Sequence, residues 1–79
     1  MKAFITGIEG FVGKYLSEHL LNNDIEVIGT YFYEKGLNSL NKDVKLYKMD
    51  ITDEEMVSKI IREVKPDWFF HLAAQSSAG

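Results

Sequence analysis

The sequence has no cysteine, one proline, one tryptophan and two histidines. Without cysteine, neither a disulfide nor a thiolate metal site can supplement the core of so short a chain. Two histidines are too few for a multi-ligand zinc centre, so no metal site is expected. No apolar run approaches the roughly 20 residues of a membrane-spanning helix, and no secretory leader pattern opens the chain. Basic residues are not in excess: nine Lys and Arg stand against twelve Asp and Glu, for a net charge of −3. That balance argues against a nucleic-acid partner, and with no membrane segment the expected location is the cytoplasm.

What remains is a chain of 79 residues, 46% hydrophobic and 27% charged, which is ordinary globular composition. That length allows one small domain, or part of one, burying about 60–65% of the surface its unfolded form exposes. Lys2-Ala3-Phe4-Ile5-Thr6 is a short apolar run stopped by Gly7, which reads as a buried strand. From Phe11 the period changes. Phe11, Tyr15 and His19, with Val12, Leu16 and Leu20, predict one wide apolar face on a helix over 11–22, with Lys14, Ser17 and Glu18 on the other side. Asn22-Asn23-Asp24 is its stop.

Residues 25–30 read as a second strand. The stretch 31–43 reads as loop, with at most one helical turn around Leu37–Leu40. Residues 44–48 alternate like a strand with one exposed face. Thr52-Asp53-Glu54-Glu55 has the form of a capping box with Thr52 as N-cap. Met56, Val57, Ile60, Ile61 and Val64 give the helix behind it an apolar face, and Pro66 ends it. Trp68 to Ala73 is a last strand, apolar enough to be buried on both faces. Strands alternating with helices imply an α/β fold with a parallel sheet.

The motif that carries chemistry is Thr6-Gly7-Ile8-Glu9-Gly10-Phe11-Val12-Gly13. Glycines fall at i, i+3 and i+6, between a strand and a helix. Gly7 permits the tight turn, Gly10 lets backbone approach a pyrophosphate, and Gly13 lets the helix lie close on the strand. The helix N-terminus then faces phosphate with free N–H groups and a positive dipole end. If strands one to three run outward in one direction and strand four returns beside strand one, the order is 3-2-1-4, and right-handed crossovers then put the two helices on opposite faces. The order reverses between strands one and four, where ligands bind at the carboxyl ends of such sheets. Small residues Ala73 and Ala74 at the end of strand four leave room there.

These residues resemble a family. Thr6–Gly13 matches the T-G-x-x-G-x-x-G signature of the extended short-chain dehydrogenase/reductase superfamily. Asp50-Ile51-Thr52 looks like its segment beside adenine, and His71-Leu72-Ala73-Ala74-Gln75-Ser76 like its H-L-A-A segment. Within the superfamily the last segment is most similar to the GDP-mannose 4,6-dehydratases and GDP-4-keto-6-deoxymannose reductases. The resemblance implies the N-terminal part, residues 1–79, of a Rossmann-type NAD(P)-binding domain. The parent would be a sugar-nucleotide dehydratase, reductase or epimerase that passes a hydride between sugar and nicotinamide. By position, Gly7, Gly10, Phe11, Val12 and Gly13 would hold the pyrophosphate. Asp50 and Ile51 would border adenine, and Leu72, Ala73, Ala74 and Gln75 would line the ribose–nicotinamide side.

Two departures qualify the match. Many NAD-preferring members carry an acid just after strand two, and here Tyr31 stands there, with Glu34 and Lys35 beyond. Loss of the acid removes a repulsion against a 2′-phosphate, and Lys35 would attract one, so NADP(H) is expected ahead of NAD(H). The family's catalytic Y-x-x-x-K comes from a later region. Tyr31 and Lys35 fit that spacing, but on the loop after strand two, the wrong place. No catalytic residue is therefore assigned, and the chain reads as roughly the first quarter of a larger enzyme.

His71 reads as a structural residue at a strand end, His19 as a packing residue, and Trp68-Phe69-Phe70 as core. Strand four would present an open edge, which predicts self-association there. Two other readings stay open: a non-enzymatic nucleotide-binding module, and a fragment that only self-associates.

Overall fold

A computed structural model describes residues 1–34, 37–50 and 52–72. Four strands, β1 (Lys2–Thr6), β2 (Glu26–Tyr31), β3 (Lys45–Lys48) and β4 (Trp68–His71), form one sheet. Its order is β3-β2-β1-β4, and every neighbouring pair is parallel. The helices are α1 (Phe11–Asn22) and α2 (Glu54–Val64), and a single 3₁₀ turn, Leu37–Ser39, interrupts the loop after β2. This is the expected α/β Rossmann-type arrangement, strand order included.

β1 is one of the two interior strands, and Ala3, Phe4, Ile5 and Thr6 are all buried. A parallel strand covered on both faces needs such an unbroken run rather than alternation. Side chains leave it alternately to two cores. Ala3 and Ile5 join Val27, Ile25 and Leu20 on the α1 side. Phe4 joins Ile28, Met49, Ile60 and Val64 on the α2 side. The two helices thus cover opposite faces, as right-handed crossovers require.

Three local expectations need correction. The packing face of α1 is Gly13, Ser17 and Leu20, with Leu16 and Leu21 half-buried beside it. Phe11 and Tyr15 stay 77% and 57% exposed, and Val12 and His19 also face outward. The reason is distance. A Cβ on Gly13 would stand 2.7 Å from Ile8 Cα and 2.8 Å from Ile8 C, so α1 lies on the loop through its small residues. Ser17 tolerates burial because its hydroxyl donates to the Lys14 carbonyl at 2.8 Å. Phe11 and Tyr15 pack on each other instead, edge to face at 4.9 Å.

The second correction is the start of α2. Asp53, not Thr52, is the N-cap, and its carboxylate accepts the Met56 amide at 3.2 Å. The helix closes at Lys65, which takes a left-handed conformation before Pro66. The third is β4. Trp68 and Phe69 are 42% and 46% exposed, because the strand pairs with β1 alone and forms an edge of the described sheet. Phe69 stacks on Phe4 at 5.4 Å.

Candidate dinucleotide-binding site

The loop between β1 and α1 is shaped by what each position must do. Gly7 takes a positive φ of 69°, where only glycine turns without strain. The chain then drives Ile8 inward until it is fully buried. The Ile8 amide donates to the Thr30 carbonyl at 3.0 Å, tying the loop to β2. Its side chain occupies the space left by Gly29, and its backbone the space left by Gly13. A Cβ on Gly29 would meet Ile8 Cδ1 at 2.5 Å, and one on Gly13 would meet the Ile8 backbone. Ile8 is thus a wedge that fixes the loop relative to both β2 and α1.

Past that wedge the backbone donors turn outward. Gly10 donates to the Gly7 carbonyl at 3.2 Å and serves as N-cap of α1 with no side chain to cap it. No acid lies in the first turn. The first intrahelical bond runs from the Lys14 amide to the Gly10 carbonyl at 3.2 Å. Among the described residues no acceptor meets the Phe11, Val12 and Gly13 amides. Unsatisfied donors at the positive end of a twelve-residue helix form an anion site. Gly10 is exposed and leaves room for backbone to approach a pyrophosphate, so the residues present fit that group.

The other predicted residues converge on the same sheet edge. Tyr31 ends β2, and its carbonyl accepts the Met49 amide at 2.9 Å. Asp50 follows β3, and Leu72 follows β4. Thr6 and His71 are register partners, and the Thr6 hydroxyl and His71 Nδ1 share a 2.8 Å hydrogen bond. His71 therefore clamps β4 to β1 at the point where strand order reverses. The Thr52 hydroxyl and amide donate to Asp50 Oδ1 at 2.7 and 2.9 Å, and they hold the Asp50 carboxyl below the usual carboxylate range. Lys35, Ile51, Ala73, Ala74 and Gln75 lie outside the described residues. No cluster of possible metal ligands occurs among the described residues.

One side chain at this edge was not singled out by sequence. Glu9 Oε2 accepts the Phe32 amide at 2.8 Å and the Tyr33 amide at 3.0 Å. The loop after β1 thereby grips the end of β2 through a carboxylate. Glu34, the acid nearest to the expected position, is drawn instead to Lys48 at 3.3 Å on the surface.

The family model described as GDP-mannose 4,6 dehydratase matches residues 4–79. The chain belongs to that family. Its motifs and strand order place it in the extended short-chain dehydrogenase/reductase superfamily. A GDP-mannose 4,6 dehydratase of Homo sapiens is 37% identical over 87 residues, covering 94% of this chain and 23% of that protein. The UDP-glucose 4-epimerase of Thermotoga maritima, solved with UDP-glucose, superimposes with a TM-score of 0.83 at 33% identity, over 91% of this chain and 24% of that one. The Bordetella bronchiseptica enzyme WbmH, solved with NAD+, gives a TM-score of 0.78 at 30% identity, over 89% and 24%. The chain therefore spans about a quarter of these relatives. Its Rossmann-like sheet and helices correspond to that quarter of their folds.

Proposed function

We propose that this chain is the coenzyme-holding part of a nucleotide-sugar dehydratase, reductase or epimerase, with a GDP-linked sugar as the first candidate substrate. The observation that carries the reading is the unpartnered row of amides at Phe11, Val12 and Gly13, set at the switch point of a parallel sheet. These amides and Gly7 and Gly10 hold the pyrophosphate. Asp50 and Ile51 border the adenine, and Leu72, Ala73, Ala74 and Gln75 line the ribose and nicotinamide. The nicotinamide, once bound, supplies the hydride acceptor and donor. Ile8 keeps the loop at fixed height, and the His71–Thr6 bond keeps β4 beside it.

The proton-transfer groups of the reaction belong to later parts of the architecture. Tyr31 ends β2 and is not placed to serve as the acid–base tyrosine. Tyr31 in place of an acid, and Lys35 beyond it, favour NADP(H). Calorimetric titration of the native protein with NADH and NADPH tests the reading, and binding of at least one in the micromolar range is expected. Absence of heat at millimolar ligand, in a folded sample, contradicts it.

We place the protein in the cytoplasm, with no membrane or nucleic-acid partner. No described helix is long and apolar enough to cross a membrane. The half-exposed Trp68 and Phe69 support pairing of the β4 edge with a further strand, from the same protein or a second copy. Sedimentation separates the two, since only a second copy raises the mass with concentration.

A further inference from the structure

We propose that Glu9 is a positioning residue that locks the segment after β2 to the glycine loop, so that a ligand held at the start of α1 also orders Phe32 and Tyr33. The inference rests on the dinucleotide reading and deepens it. β2 ends at Tyr31, and the chain leaves the sheet there. Phe32 and Tyr33 pack on each other at 5.0 Å but stay 50% and 68% exposed, so little burial fixes them. Among the described residues no backbone carbonyl accepts their amides. Glu9 Oε2 accepts both, at 2.8 and 3.0 Å, across 23 and 24 residues of sequence.

Successive backbone N–H groups aimed at one point form a small anion site. The protein fills this one from its own chain. Hydrogen bonds to a carboxylate are about twice as strong as neutral ones, and here they hold a segment with few other ties. The other end of the link is equally fixed. Glu9 stands between Ile8, which is fully buried, and Gly10, the N-cap of α1. Its Oε1 is enclosed without a hydrogen-bond partner, which is unfavourable, and the bonds to Oε2 offset that cost. The carboxylate is thus bound to the amides after β2 and not to those that open α1. It leaves the α1 amides to an external anion while tying their loop to β2. Ordering either end of such a link orders the other.

Two probes separate positioning from plain support: inorganic pyrophosphate, which is small enough to engage the glycine loop alone, and NADH, which extends past it. Amide NMR of the intact native protein with pyrophosphate is expected to shift Phe32 and Tyr33 together with Phe11, Val12 and Gly13. Ser58 and Lys59 on α2 are expected to stay unmoved. Unmoved Phe32 and Tyr33 amides at saturation overturn the inference, and this arm needs no variant. Calorimetry then compares the native protein with Glu9→Ala and Glu9→Gln, with melting curves to verify folding. Glu9→Ala is expected to weaken NADH about tenfold. It should leave pyrophosphate unchanged or tighter, since a negative charge beside Gly10 is removed. Glu9→Gln keeps one acceptor oxygen and is expected to recover most of the NADH loss. Equal weakening of both ligands by Glu9→Ala would mark Glu9 as plain support for the loop and overturn the inference, as would no weakening of either. If neither ligand binds the folded native protein, the dinucleotide reading falls and the inference with it; if pyrophosphate shifts residues 11–13 alone, only the inference falls.

Discussion

α1 begins at Gly10 with no side chain on its first amides and no acid in its first turn. α2 begins at Asp53, whose carboxylate takes the Met56 amide, with Glu54 and Glu55 directly behind. Both termini carry the same partial positive charge. At α2 the protein satisfies that charge with its own carboxylates, which stabilises the helix and closes it to other anions. At α1 it leaves the charge open and fixes the terminus by other means: the buried Ile8 wedge, the Gly13 approach and the Glu9 link to β2. Under the proposed function, the helix start that gives up its cap yet is held from below is the one that takes the coenzyme's pyrophosphate. A helix start that caps itself is built for folding.

Disturbing the support beneath α1 has the largest expected effect. Gly13→Val places side-chain atoms into the Ile8 backbone, which the structure puts 2.7 Å from the first of them. A stability loss of about 3 kcal/mol or more is expected in urea unfolding, together with loss of coenzyme binding. Ser58→Ala on the exposed side of α2 is the matched control, with a change within about 0.5 kcal/mol.

Giving α1 the start that α2 has should separate stability from binding. Gly10 has φ −75° and ψ 170°, open to any residue, and a Cβ there meets only the Gly7 carbonyl at 3.5 Å. Gly10→Asp is expected to hold or raise stability by roughly a few tenths of a kcal/mol. Coenzyme affinity is expected to fall about a hundredfold, because the added carboxylate competes with the pyrophosphate. Calorimetry and a melting curve on one sample read both. The reverse change, Asp53→Ala, should cost about 1 kcal/mol of stability and leave coenzyme affinity unchanged.

The smallest effect is a pH dependence at Asp50. Its carboxyl is lowered first by the Thr52 hydroxyl and then by the Thr52 amide. A depressed folded pKa contributes stability above the unfolded value, about 3.9 for an aspartate, and that contribution is lost as pH falls through the lower folded value. Thr52→Val removes the larger cause. Carboxyl NMR titration should show the Asp50 pKa moving up towards its ordinary value. The melting-temperature gap between the native protein and the variant should close on acidification. A gap that widens below the carboxylate range would contradict the assignment.

The spacing of Gly7, Gly10 and Gly13 after an apolar run made the loop legible, because each glycine answers a backbone requirement that sequence states locally. Strand order followed once strand four was taken to return beside strand one, and crossover handedness then set the helix faces. The packing face of α1 was not. Hydrophobic period points to Phe11, Val12 and Tyr15, but close approach selects Gly13 and Ser17, and the large residues are left outside. Gly29 inside β2 was a signal only for the buried Ile8 side chain beside it, since an interior strand glycine marks a close neighbour. The N-cap of α2 missed by one residue because Thr52 and Asp53 both cap well, and Asp50 recruits the threonine first. Glu9 stands at a variable position of the motif, and its partners are 23 and 24 residues away. Nothing local marks it.

The most direct measurement is an amide NMR titration of the folded protein with its dinucleotide. The largest shifts are expected at the Phe11, Val12 and Gly13 amides, with Glu54, Glu55 and Met56 unmoved. Saturable binding with no shift at residues 11–13, or equal shifts at the two helix starts, would contradict it.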